Sequence, residues 1–182
     1  AKWVVVGDVD SDQWINLCEQ YQPKGNKIIE IRRSVQSSKL GGAQKQHIEI
    51  KDKQSIDLLM ALPLPLTIHH PDYLPMKLAV DALGGSFSAR LMRTVRDEEG
   101  LTYNVGSSLQ DFIPNHQGFW AVHGSFSPKL IDQGIASIQK QLNIWNKKGL
   151  SQLELAERQE GIAGKYVVSL SDANSIVNVI AD

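Results

Sequence analysis

Residues 81–108 read DALGGSFSARLMRTVRDEEGLTYNVGSS. The paired glycines Gly84 and Gly85 stop one helix, because a residue without a Cβ closes a helical turn at little steric cost. Ser86 or Ser88 offers a side-chain oxygen to cap the next helix. Leu91, Met92 and Val95 fall on one helical face and predict its buried stripe. Gly100 stops that helix, and LTYNVGSSLQ (101–110) follows as a strand. Two side chains in this stretch are not asked for by packing. Arg96 sits at the helix end and Tyr103 in the strand beyond the turn. A helix ending at Gly100 and a strand starting at Leu101 can bring the two together. Arginine is a permanent cation with a forked donor set, and tyrosine adds a directional hydroxyl donor. Such a pair suits a carbonyl oxygen that becomes negatively charged during peptide hydrolysis. Arg90 and Arg93 recur at the same spacing of three. They read as a solvated face, with Arg90 a candidate for a structural ion pair.

Upstream, Leu74, Leu78, Val80 and Leu83 predict the helix that the paired glycines end. IDLLMALPL (56–64) and QHIEI (46–50) read as strands separated by the turn KDKQS. KWVVVG (2–7) reads as a strand, and Trp14, Leu17, Cys18 and Tyr21 follow at helical spacing behind the N-cap candidates of DVDSD. Residues 22–44 form a long polar connection, with a short strand expected at 28–32. Downstream, GFWAVHGSF (118–126) is another strand. Ser127 with Pro128 marks a helix N-terminus. Ile131, Ile135, Ile138, Leu142 and Trp145 run along one face of a long helix that Gly149 ends. Ser151 and Glu154 form a capping box for the next helix, and Ser171 or Asp172 opens a last one. This order predicts an α+β fold: a mostly antiparallel sheet of about five to six strands with helices on one face.

The chain of 182 residues is long enough for one domain with a sizeable core. With 42% hydrophobic and 21% charged residues it has an ordinary globular composition. Residues 1–182 read as a single domain, an excised piece of a longer protein cut at both ends. Its net charge of −1 gives no general pull towards nucleic acid or an anionic membrane. One cysteine excludes an internal disulfide and a cysteine-based zinc site. The longest apolar run, LLMALPLPL (58–66), is too short to span a bilayer and is broken by Pro63 and Pro65.

Other constellations carry less. Asp8, Asp10, Asp12, Asn16 and Glu19 fall at calcium-loop positions, but Gln13 stands where the sharp turn demands glycine. An acidic turn capping a helix is the better reading. The five histidines, His47, His69, His70, His116 and His123, form no H-x-x-E-H or H-E-x-x-H pattern. His69 and His70 read as a surface turn, and His47 and His123 as half-buried strand residues. No metal ligands are assigned in this chain.

The stretch 81–108 resembles a segment of pitrilysin-type (inverzincin) zinc metallopeptidases, written roughly L-G-G-x-x-S-R-L-x-x-x-L-R-E-x-x-G-L-x-Y-x-V. The mitochondrial processing peptidase and the insulin-degrading enzyme belong to that group. VVVGDVD, HHPDYLPMKLAVDALGG and GFWAVHGSFSPKL are similar to other family segments in the same order. Ala89 replaces a usual serine and Val95 a usual leucine. The resemblance implies a non-zinc second domain, paired with a zinc-bearing domain carrying H-x-x-E-H in the same polypeptide or a partner subunit. Arg96 and Tyr103 then contact the peptide substrate at that zinc site, and Gly84, Gly85, Arg90 and Gly100 serve the structure. The substrate implied is an extended peptide, held partly by strand addition. Alone, the chain is expected to hold no catalytic zinc and to cleave nothing. A catalytically inactive scaffold on the same fold, like respiratory-complex core proteins, is the rival. A nucleic-acid module using Arg32 and Arg33 is weaker, for want of charge and interleaved aromatics. The resemblance is compatible with a bacterial periplasm or cytoplasm.

Overall fold

Strand β3 (Phe119–Phe126) is the centre of the sheet in this computed structural model, with β1 (Ile56–Pro63) on one side and β2 (Thr102–Gln110) on the other. The structure describes residues 3–21, 41–112 and 116–181. Both pairings are antiparallel. Met60, Val122 and Ser107 align across one face, and Leu58, Gly124 and Val105 form the next row of that face. From Ile56 to Ala61, β1 alternates as a half-buried strand should, whereas β2 is buried on both faces from Val105 to Ser107. Leu59, pointing the other way from Leu58 and Met60, is 65% exposed.

The core lies on the inner face. Val105, Val122 and Phe126 of the sheet meet Leu83, Leu91, Met92, Val95 and Ile138 from the helices. Helix α2 (Tyr73–Gly84) packs against β2, and a π-helix (Met92–Glu98) packs against β2 and α3 (Ile131–Lys148). Trp120 and Trp145 stack at 5.1 Å, and the Trp120 indole donates to Ser107 Oγ at 2.7 Å. Helix α4 (Gln152–Ser169) starts at the expected capping box, where Glu154 N–H donates to Ser151 Oγ. These elements, up to Gln159, belong to the unit Val35–Gln159.

A second unit combines Ala1–Ser34 with Glu160–Asp182. In it, α1 (Ser11–Tyr21) is opened by Asp10, whose carboxylate accepts from Gln13 N–H at 2.9 Å. Helix α5 (Ala173–Ala181) is opened by Asp172, which accepts from Ser175 N–H at 2.9 Å.

Several expectations are corrected. Three strands form among the described residues, against the five to six expected. Residues 3–6 and 46–50 form no strand, and the strand expected at 28–32 lies outside the described residues. His47 is exposed and outside any strand. Ser127 and Pro128 open a turn, and α3 begins only at Ile131. The helix read from Trp14, Leu17, Cys18 and Tyr21 does form, as α1, and Trp14, Leu17 and Tyr21 are exposed on it. No helix among the described residues is long and apolar enough to cross a membrane.

Gly84 is where α2 comes closest to the sheet. A Cβ there would lie 2.4 Å from the Ser107 backbone nitrogen, a contact no side chain can relieve. Gly84→Ala is therefore expected to destabilise by ~1–3 kcal/mol through overpacking. Urea denaturation checks this, and an unchanged midpoint would show that α2 can retreat from β2 at no cost.

Candidate functional site

The helix that carries Arg96 is wider than an α-helix. Glu99 N–H donates to Thr94 C=O and Leu101 N–H to Val95 C=O, both at 3.0 Å, longer loops than the α-helical pattern. The widened helix is closed by Gly100 at φ +63°, whose N–H donates to Arg96 C=O at 3.0 Å. That is the left-handed cap glycine supplies most readily. The chain turns at once into β2.

Strand β2 is irregular at its first residues. Thr102 pairs with Phe126 and Asn104 with Ser125, so Tyr103 is the extra residue of a β-bulge. A bulge re-aims a side chain out of the pleat. The Thr102 hydroxyl pins the irregularity by donating to Ser125 C=O and accepting from Asn104 N–H. Two departures from regular geometry thus flank Gly100, and the two side chains they present meet. The Arg96 guanidinium carbon lies 4.9 Å from the Tyr103 ring centroid. A third partner joins them: the Phe87 ring centroid is 5.5 Å from the same carbon. Tyr103 is 82% exposed and Phe87 75% exposed. Asp97 lies 3.8 Å from Arg96 Nε in a half-exposed ion pair. The arrangement is a half-buried cation against two exposed aromatic rings, one of which carries a phenol hydroxyl.

The other motif residues divide as structure. Gly85 caps α2, its N–H donating to Asp81 C=O at 2.7 Å. Arg90 is buried and grips Glu154 through two nitrogens at 2.7 Å each, with a further bond to Gly149 C=O at 3.0 Å. The Arg90 hydrogen bonds above all, and then the Ser151 N–H and hydroxyl, hold the Glu154 carboxyl well below the usual range, at about 2 against burial. Arg93 is half-exposed, 3.8 Å from the same carboxylate.

Sequence reasoning missed Phe87 and Arg158. Ser86 and Ser88 do not cap the following helix. Their hydroxyls accept from the two terminal nitrogens of Arg158, the second at 2.5 Å. Arg158 is buried on α4 and lies 3.6 Å from Asp81. An aromatic residue between two serines in a short interhelical connection was the signal available for Phe87. None existed for Arg158, which comes from far along the chain.

Among the described residues no three His, Cys, Asp or Glu side chains gather as metal ligands would. His69 and His70 lie in a turn, where His70 Nδ1 accepts from Asp72 N–H at 3.1 Å.

The family model described as the peptidase M16 inactive domain matches residues 1–162. An uncharacterized zinc protease of Mycobacterium leprae is 23% identical, over 94% of this chain and 38% of its own length. A protein of Helicobacter pylori named a non-peptidase homolog is 24% identical, over 97% of this chain and 40% of its own length. Among solved structures, a protease from Helicobacter pylori superposes with a TM-score of 0.83 at 17% identity, over 97% of this chain and 43% of that one. The chain therefore spans less than half the length of each of these three proteins.

Proposed function

This chain belongs to the peptidase M16 inactive-domain family, and on that premise we propose that it is the substrate-facing, non-zinc domain of a zinc metalloendopeptidase. It presents Arg96 and Tyr103 to an extended peptide at a zinc site carried by another domain or subunit. The observation that carries this reading is the meeting of a cation and a phenol, 4.9 Å apart, on the two irregular elements that flank Gly100. Packing gains little from a phenol as open to solvent as Tyr103, whereas a ligand gains both its hydroxyl and the half-buried cation beside it.

In this reading the hydrolytic chemistry belongs to the partner, which would hold the zinc. What this domain supplies is binding and charge. The Arg96 guanidinium donates to the peptide carbonyl oxygen and opposes the negative charge that develops there. The Tyr103 hydroxyl donates to the same oxygen or its neighbour, fixing the direction of approach.

Tyr103→Phe separates the hydroxyl from the ring that lies beside Arg96. In the full-length zinc-bound protein, kcat/KM on an unstructured peptide is expected to fall about tenfold to a hundredfold, the worth of one hydrogen bond to a charged group. Zinc content is expected to stay the same. The non-peptidase name of the Helicobacter pylori relative favours a second reading, a fold retained for assembly. A full-length protein that neither holds zinc nor cleaves peptide would replace the first reading by the second.

A further inference from the structure

We propose that Phe87 is a specificity residue, receiving a bulky apolar side chain of the peptide beside the carbonyl that Arg96 and Tyr103 hold, and that Arg158 positions it. The inference rests on the peptide-contact reading above and adds the class of peptide preferred. A single exposed phenylalanine is unremarkable by itself. What sets Phe87 apart is that the side chains of both its neighbours are held. Both neighbours, Ser86 and Ser88, accept from one guanidinium, so the fork of Arg158 clamps the tripeptide from beneath. That arginine is itself buried, beside Asp81. Burying a guanidinium is costly unless its donors are satisfied, and ordering a surface turn costs conformational entropy. The ring between those two anchored serines is 75% exposed and 5.5 Å from the Arg96 guanidinium carbon. An extended peptide presents a carbonyl oxygen and a neighbouring side chain within one residue's reach. The cation and hydroxyl meet the first, and the ring meets the second. Charged or amide side chains gain little from the ring, so the matching peptide carries leucine, phenylalanine or a similar residue there.

The test measures binding with zinc chelated, so that it is independent of turnover. Two labelled Gly/Ser-rich peptides are titrated into the full-length protein by fluorescence anisotropy, one with a central Leu-Phe pair and one with Asn-Gln in its place. The unsubstituted protein is expected to prefer the apolar peptide about tenfold, the worth of burying part of one apolar side chain. Phe87→Ser should abolish that preference, and Phe87→Leu should retain most of it. Arg158→Met, which keeps an apolar stem but loses the fork, should lower the preference. In that background Phe87→Ser should then change little, a dependence that a merely structural Arg158 would not show. If Arg158→Met does not fold, the Phe87 pair of variants still decides. Equal binding of both peptides by the unsubstituted protein, or an equal loss for both on Phe87→Ser, would overturn the inference. Arg96→Ala separates the two levels. If it weakens both peptides while Phe87→Ser leaves the preference intact, only this inference falls. If it leaves binding untouched, or if no peptide binds at all, the peptide-contact reading falls with it.

Discussion

Replacing Arg96 by alanine in the full-length, zinc-bound protein is expected to lower kcat by about 10²–10³, the usual loss when one oxyanion donor is removed. The larger part of the effect should fall on kcat, because the charge being opposed develops in the transition state, and a smaller part on substrate binding, through the bond Arg96 already donates to the uncharged carbonyl. Zinc stoichiometry should not change. Stability should change little, since the ion pair Arg96 makes with Asp97 is long, at 3.8 Å, half-exposed, and of the kind worth under about 1 kcal/mol. Arg96→Lys is the sharper variant. It keeps the charge but loses the planar fork that lies against the Tyr103 and Phe87 rings. Most of the alanine deficit should therefore persist in lysine. Steady-state kinetics with parallel zinc analysis measures all of this. A loss under about threefold in the alanine variant would remove Arg96 from the reaction.

How much of this was legible in the sequence follows the range of the interactions involved. The helices were readable because their signals are local. Leu91, Met92 and Val95 are spaced for one face and are buried there. The box of Ser151 and Glu154 is a short-range pattern and forms as read. The encounter of Arg96 with Tyr103 was foreseeable because only a turn separates them. The devices that achieve it were not: nothing in MRTVRDE announces a widened helix, and nothing in TYNV marks Tyr103 as a bulge residue. The strands misread at 3–6 and 46–50 failed for a related reason. β-branched runs show that a segment fits a pleated, half-buried surface, not that a neighbour exists to pair with it. Trp3 and Ile48 are 57% and 71% exposed. The serine pair 86 and 88 was read as local caps when its partner lay on α4. Short-range logic assigned to the backbone what a distant arginine had claimed.

That same helix holds the motif in place, and acid should reveal it. Glu154 is 11% exposed at its side chain and accepts two bonds from buried Arg90. Its carboxyl titrates at about 2 when folded, against 4.5 ordinarily. A carboxylate with a lowered folded pKa stabilises the fold fully above its unfolded value and gives that up as pH falls through the folded one. The contribution is therefore complete above about pH 5 and is lost between about 4.5 and 2, worth about 3 kcal/mol. Glu154→Ala should cost about 3–5 kcal/mol at neutral pH, because it strands a buried guanidinium as well as removing a cap. Urea denaturation of the protein and of Glu154→Gln across pH 7 to 3 distinguishes the two parts. The stability gap between them should narrow as the solution is acidified. A gap that stays constant would mean the ion pair contributes nothing that depends on ionisation. Arg90 stands just before the π-helix that carries Arg96, so an anchor that slackens in acid should also loosen the cation six residues on. Peptide binding should then weaken over the same pH range in which the gap closes, and before the domain unfolds.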